Sequence, residues 1–158
     1  MSAGGTLNIY DLVNDTLYQV KTDDIPGIRD TPEYLKDYPG RKTSKPEKRI
    51  ISFRDPLWSD DGNQAVVEVL SDDNKDRWIM LLDIRTGALK LLDRQHDEAW
   101  IGGPGVGYGM LGWLPDNKTI FFQSEESGYS HLYMLDVTTG QKRALTSGKF
   151  EIYSPTLS

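Results

Sequence analysis

One segment of this chain occurs three times, and a repeat of that length leaves few architectures open. Ile79-Met80-Leu81-Leu82-Asp83-Ile84-Arg85-Thr86-Gly87 aligns with Leu132-Tyr133-Met134-Leu135-Asp136-Val137-Thr138-Thr139-Gly140, 53 residues later. A more diverged copy, Asn8-Ile9-Tyr10-Asp11-Leu12-Val13-Asn14-Asp15, opens the chain. Each copy reads as an apolar or β-branched strand, a turn begun by aspartate, and a second strand. Gly or an Asn-Asp pair stands where the turn needs positive φ. A second unit precedes two of these hairpins: Trp58-Ser59-Asp60-Asp61-Gly62 and Trp113-Leu114-Pro115-Asp116-Asn117, 55 residues apart, each leading into an apolar strand. Four strands every 50-odd residues is the period of a β-propeller blade. The alternative is an ordinary antiparallel meander, which leaves the shared period, tryptophan position and turn positions unexplained.

The expected fold is therefore all-β, a partial propeller of about two and a half four-stranded antiparallel blades. The hairpin at 6–20 is the outer half of one blade. Complete blades follow at about 50–95 and 110–146, joined by a Gly-rich loop at 96–109, and 147–158 begins the next. Propellers close as rings of about 4–8 blades, so this phase predicts a segment of a larger ring with a bare blade face at each end. Such open edges and faces invite self-association. Segment 21–57 breaks the rhythm. It holds five of the eight prolines and nine of the 18 Lys and Arg residues beside seven acids, and reads as a Pro-rich, solvated inter-blade insertion. Pro32 to Pro39 would suit a single helical turn, and Arg41-Lys42-Thr43-Ser44-Lys45 is a basic cluster that could alternatively serve a partner.

Composition narrows the function. A formal charge of −6, from 24 acids and 18 bases, argues against a nucleic-acid surface. The absence of cysteine removes disulfide scaffolds, zinc ribbons and thiol nucleophiles. No apolar run reaches the ~18–20 residues of a membrane span. Met1-Ser2-Ala3-Gly4-Gly5 lacks the basic and apolar regions of a signal peptide, and the compartment stays open.

Catalytic motifs are weak. Gly128-Tyr129-Ser130-His131-Leu132 lacks the closing glycine of a nucleophile elbow, and Ser130 falls in an expected strand. His96 and His131 are the only histidines and complete neither a metal helix nor a Ser-His-Asp set. Gly107-Tyr108-Gly109-Met110-Leu111-Gly112 has the glycine spacing of a dinucleotide loop but leads into a strand rather than a helix. Asp72-Asp73-Asn74-Lys75-Asp76 alternates oxygen side chains as a calcium loop does, yet carries Arg77 where that loop needs glycine, and reads better as a polar hairpin turn. Asn14 and Asn117 stand in glycosylation sequons placed in turns. No cofactor or metal is expected, and the chain alone is read as non-catalytic. The one candidate site is the connection after His96. There Asp97, Glu98 and Trp100 could hold a cationic group, such as a peptide amine, by charge and cation–π contact. The competing reading leaves the two acids solvated and packs Trp100 between blades.

Several of these residues carry a resemblance. Trp58-Ser59-Asp60-Asp61-Gly62, Asp76-Arg77-Trp78-Ile79, Trp113-Leu114-Pro115-Asp116, and above all Glu126-Ser127-Gly128-Tyr129-Ser130-His131-Leu132-Tyr133 followed by Arg143-Ala144-Leu145-Thr146-Ser147-Gly148-Lys149-Phe150-Glu151, resemble the N-terminal propeller of dipeptidyl peptidase IV-like enzymes. These are serine peptidases of the prolyl oligopeptidase family. The resemblance spans 50–158 and extends to 6–20, while 21–57 matches loosely. It implies a propeller that gates and shapes a peptide cavity against an α/β-hydrolase domain, which carries the catalytic Ser, Asp and His and is the implied partner. In such dipeptidyl peptidases an acidic pair of the propeller binds the substrate's free amine. Asp97-Glu98 lies in a comparable inter-blade position but does not reproduce the family's consecutive glutamates. Since Trp-Ser-x-Asp-Gly units also occur in TolB-like propellers, a stand-alone binding module for protein partners is the alternative reading.

Overall fold

The computed structural model describes residues 4–31, 33, 47–104 and 110–156. Most of the 32–39 stretch, the basic cluster 41–45 and the glycines of 107–109 lie outside the described residues. Within them the chain forms eleven strands and no α-helix: β1 Asn8–Asp11, β2 Thr16–Gln19, β3 Ile51–Phe53, β4 Leu57–Trp58, β5 Ala65–Ser71, β6 Asp76–Leu82, β7 Leu89–His96, β8 Leu111–Trp113, β9 Thr119–Ser124, β10 His131–Asp136 and β11 Lys142–Ala144. They make three antiparallel sheets: the hairpin β1–β2, a first blade ordered β3-β5-β6-β7 with β4 also on β5, and a second blade ordered β8-β9-β10-β11. The architecture is an unclosed, all-β propeller segment.

The repeat in the sequence is a repeat of turn chemistry. Asp11, Asp83 and Asp136 each accept, through Oδ1, the backbone N–H groups two and three residues ahead: Val13 and Asn14, Arg85 and Thr86, Thr138 and Thr139. Four residues after each aspartate the backbone turns to positive φ, at Asp15, Gly87 and Gly140. An aspartate fits such a turn because its short carboxylate closes it without spending a ladder bond. The second unit behaves alike. Asp61 and Asp116 accept from the N–H two residues on, and Gly62 and Asn117, 55 positions apart, both take positive φ.

The first blade differs from a simple four-stranded sheet in its first strand, which is broken. β3 and β4 both pair with β5, but the register slips by one between Phe53↔Val69 and Leu57↔Val66. Pro56 has no N–H to give the ladder, so the interruption falls there. Residues 51–53 and 57 thus belong to the blade rather than to the insertion, and β7 runs to His96, so the inter-blade connection begins at Asp97. Residues 147–156 form no strand, although Ile152 N–H donates to Ser130 O at 2.9 Å.

The middle sheet is buried on both faces, which is why β5 and β6 are nearly continuous apolar runs rather than alternating ones. Ala65, Val67, Val69, Trp78, Met80 and Leu82 face the N-terminal segment. Val66 and Ile79 face the second blade and meet Ile120, Phe122, Tyr133, Leu135 and Val137. The insertion is not wholly solvated: Ile25 and Ile28 are buried in the first of these clusters. They are anchored by the Trp78 indole N–H, which donates to Pro26 O at 2.8 Å.

Charge also lies between the blades. Arg77 has no exposed surface and donates from Nε to Glu68 Oε1 at 2.7 Å and from Nη1 to Gln123 O at 2.9 Å. Arg54 holds the other Glu68 oxygen at 3.1 Å. Lys142 of the second blade reaches Asp93 of the first at 2.7 Å.

Candidate functional site

At one end of the strands, the connection leaving β7 runs beside the β9–β10 turn. The end of β7 is fixed by Asp76, a buried carboxylate at the start of β6. It accepts from Arg94 Nε at 2.7 Å and His96 Nδ1 at 3.0 Å, and also pairs with Arg49. Burial pushes the Asp76 carboxyl up, but the hydrogen bonds from Arg94, Arg49 and His96 outweigh it and hold it below its usual range. The same burial pulls the His96 imidazole down, while its bonds to Glu98 and Asp76 leave it raised overall. Asp73 pairs with Arg49 at 2.7 Å. Asp73 and Asp76 of the calcium-like stretch are thus paired with protein cations, and Asp76 sits in a strand rather than in a loop.

The three residues singled out after His96 share one loop but not one target. Asp97 Oδ1 accepts the N–H groups of Ala99 at 2.6 Å and Trp100 at 3.1 Å, closing a turn. Glu98 bonds His96 Nε2 at 3.1 Å, lies 4.0 Å from Lys75 Nζ and accepts the Glu33 N–H at 3.3 Å. His96 first, then the Glu33 N–H, hold its carboxyl below the usual range. Trp100 is 67 % exposed, lying over Gly102 rather than packed between blades. Asp97 lines a cavity of about 350 Å³ with Arg94, His96, Ser124, Glu125 and Glu126, whereas Glu98 lines a separate one with Asp30, Arg49 and Lys75.

The sequence reading missed Glu125, Glu126 and Glu151. Burial pushes the Glu125 carboxyl up, and the Glu151 and Asp97 carboxylates push it the same way against the Gly103 N–H bonded to it. The Glu125 carboxylate occupies the space a Cβ at residue 103 would fill, so a side chain there would displace it. The available signal was the consecutive Glu125-Glu126 in the β9–β10 turn. Its meeting with Asp97, 28 positions earlier in the sequence, depends on how one blade stacks on the next. The result is a partly buried, acidic recess suited to a cation or a hydrogen-bond donor.

Ser130 is buried. Its hydroxyl donates to Pro104 O at 2.6 Å and accepts from Gln123 Nε2 at 3.1 Å. His131 faces elsewhere, toward Thr146 Oγ1 at 3.1 Å and Gly148 O at 3.0 Å, with Phe150 edge-on. Both are tied into packing rather than into a nucleophile–base pair. Among the described residues no group of three or more His, Cys, Asp or Glu side chains is placed to hold a metal.

Residues 41–157 match the family described as the dipeptidyl peptidase IV (DPP IV) N-terminal region. The chain belongs to that family. Its fold agrees with solved DPP IV-type structures. Porphyromonas gingivalis dipeptidyl peptidase 4 superposes with a TM-score of 0.61 at 14% identity, over 93% of this chain and 17% of that one. A protein from Bacteroides ovatus provisionally assigned as a dipeptidyl aminopeptidase IV gives 0.58 at 14% identity, over 90% and 19%. TolB from Acinetobacter baumannii gives 0.47 at 20% identity, over 89% and 26%, too low to bear on the fold. This DPP IV N-terminal region therefore spans less than a fifth of the two peptidase chains it superposes on. Comparison with curated proteins finds no sequence match.

Proposed function

We propose that this DPP IV N-terminal region supplies propeller blades that gate and shape the peptide cavity of a serine exopeptidase of the dipeptidyl peptidase type. Acyl transfer is then carried out by an α/β-hydrolase domain outside these 158 residues. The match of residues 41–157 to the DPP IV N-terminal family carries the reading. The acidic recess supports a more specific part of it, recognition of the free amine of a peptide. Asp97 and Glu125 line the recess, Glu98 follows on the same loop, and Trp100 offers an exposed ring for cation–π contact.

The test is a kinetic comparison in the full-length product with dipeptide–chromogen substrates. Asp97→Asn and Glu98→Gln are expected to raise KM for substrates with a free N-terminus and to leave N-blocked substrates unaffected. A hydrolytically inert full-length product would remove the peptidase reading. An active one with unchanged KM in both variants would remove the amine site alone.

A further inference from the structure

His96, the last residue of β7, stands between two carboxylates. Its Nδ1 lies 3.0 Å from Asp76 Oδ2 and its Nε2 lies 3.1 Å from Glu98 Oε1. A neutral imidazole has one N–H donor and one acceptor lone pair, whereas an ionised carboxylate only accepts. Both contacts are hydrogen bonds only while the ring is an imidazolium. The two partners are held differently. Asp76 is 1% exposed and also accepts from Arg94 and Arg49, so its place does not depend on the ring. The Glu98 side chain is 47% exposed, and its second oxygen accepts the Glu33 N–H at 3.3 Å. Glu98 thereby joins the inter-blade loop to the Pro-rich insertion. A lone pair turned on a buried carboxylate costs more than one turned on a carboxylate that can move into water. On losing its proton the ring therefore keeps its N–H on Asp76, and the contact that fails is the one to Glu98.

The surrounding charges favour the protonated ring and offer Glu98 a second position. Arg94 of β7 is shared between Asp76 and Asp30, and Arg49, ahead of β3, between Asp76 and Asp73. Both guanidiniums are thus matched by acids of their own. Asp30 and Glu33 line a cavity of about 270 Å³ with His96 and Glu98, and Asp97, Glu125 and Glu126 line the recess on which His96 also opens. Lys75, in the β5–β6 turn, has its Nζ 4.0 Å from Glu98 Oε2, within reach of a carboxylate that leaves the ring. We propose that His96 is a proton-operated clasp between the inter-blade loop and the insertion. Protonated, it holds Glu98 where the Glu33 N–H can donate to it. Deprotonated, it releases Glu98 to Lys75 and solvent, and the Glu33 N–H loses its acceptor. The insertion stays anchored in both states by Trp78 on Pro26 O, Arg94 on Asp30, and the Arg49 N–H on Ile28 O at 2.9 Å. The change is confined to the contact at Glu33, and the clasp works whatever the acidic recess binds.

Hydrogen–deuterium exchange of the full-length product tests this between about pH 5 and 8, read by mass spectrometry on the peptide containing Glu33 and corrected for the intrinsic pH dependence of exchange. Protection of that peptide is expected to fall about two- to tenfold as pH rises, with a midpoint above 6.5. His96→Gln should remove the step and leave the peptide poorly protected at every pH, and Glu98→Ala should do the same. Exchange of the β5 and β6 amides in the same digests shows that each variant keeps its fold. Protection that does not change with pH in the parent protein, a step that survives His96→Gln, or full protection in Glu98→Ala would each overturn the proposal.

Discussion

Arg77→Met is the sharpest probe of how the two blades are held together. The substitution keeps most of the buried side-chain volume but removes the cation that Glu68 meets between the sheets, along with the donors to Gln95 Oε1 at 3.3 Å and Gln123 O at 2.9 Å. Gln123 O keeps Gln95 Nε2 at 3.2 Å, so the main loss falls on Glu68, left as a buried carboxylate. Breaking a buried pair from one side costs about 3–5 kcal/mol. Arg54 still holds one Glu68 oxygen at 3.1 Å, so the lower end applies, about 3 kcal/mol. For a chain of this size a urea m-value of about 2 kcal/mol/M turns that into a midpoint lower by ~1.5 M. The double variant Glu68→Leu/Arg77→Met removes both charges and is expected within about 1 kcal/mol of the parent chain, since apolar packing replaces buried pairs at little net loss. Urea titration followed by tryptophan fluorescence measures all three, at one low protein concentration so that association does not add to apparent stability. A single-variant midpoint within ~0.3 M of the parent, or a double variant no better than the single, would refute a buried pair that matters through its uncompensated partner.

Three further outcomes follow from the geometry. Gly27 has φ +78° and a Cβ there would strike the Arg94 guanidinium. Gly27→Ala is expected to cost about 1–3 kcal/mol and to expose the 22–30 segment to limited proteolysis before the sheets unfold; unchanged cleavage would contradict this. Among the repeated turns, Gly140 (φ +74°) has no atom within 4 Å of a new Cβ, whereas at Gly87 (φ +68°) it would lie 3.2 Å from Gln19 O. Gly87→Ala should therefore destabilise more than Gly140→Ala in the same urea titration. Stability should also vary with pH. His96 is raised above 6.5 in the folded chain, so its contribution is complete below pH 6.5 and is lost as pH rises through the folded value. Asp76 is lowered below 3.8, so its contribution is present above pH 3.8 and is lost as pH falls through the folded value. His96→Gln should flatten the urea midpoint on the alkaline side and shrink the acid limb without abolishing it, because Arg94 and Arg49 still hold Asp76 low.

The blade period, the turns at Asp11, Asp83 and Asp136, and the strands following Trp58 and Trp113 were legible in the sequence. Each depends on chemistry within a few residues: a carboxylate closing its own turn, a glycine or asparagine at positive φ, an apolar run beside it. The break in the first strand of the first blade could be anticipated from Pro56, but the register slip across it required the partner strand. The insertion illustrates the limit. Proline content and charge describe 21–57 as solvated, yet Ile25 and Ile28 are buried because the Trp78 indole and the Arg94 guanidinium give that segment something to bind.

The candidate site divides along the same line. Asp97, Glu98 and Trp100 are neighbours in sequence, and sequence alone suggested one cation trap. Tertiary structure turned Glu98 toward His96 and Lys75, closed Asp97 on its own turn, and brought Glu125 and Glu151 to share Asp97's field. Leu12 and Val137 occupy the same repeat position with the same local chemistry, yet one is exposed and the other buried. Turn and strand preferences are short-range and are written residue by residue. Burial and carboxylate pairing are set by whichever sheet stacks next to the residue, and only the folded arrangement of blades decides that.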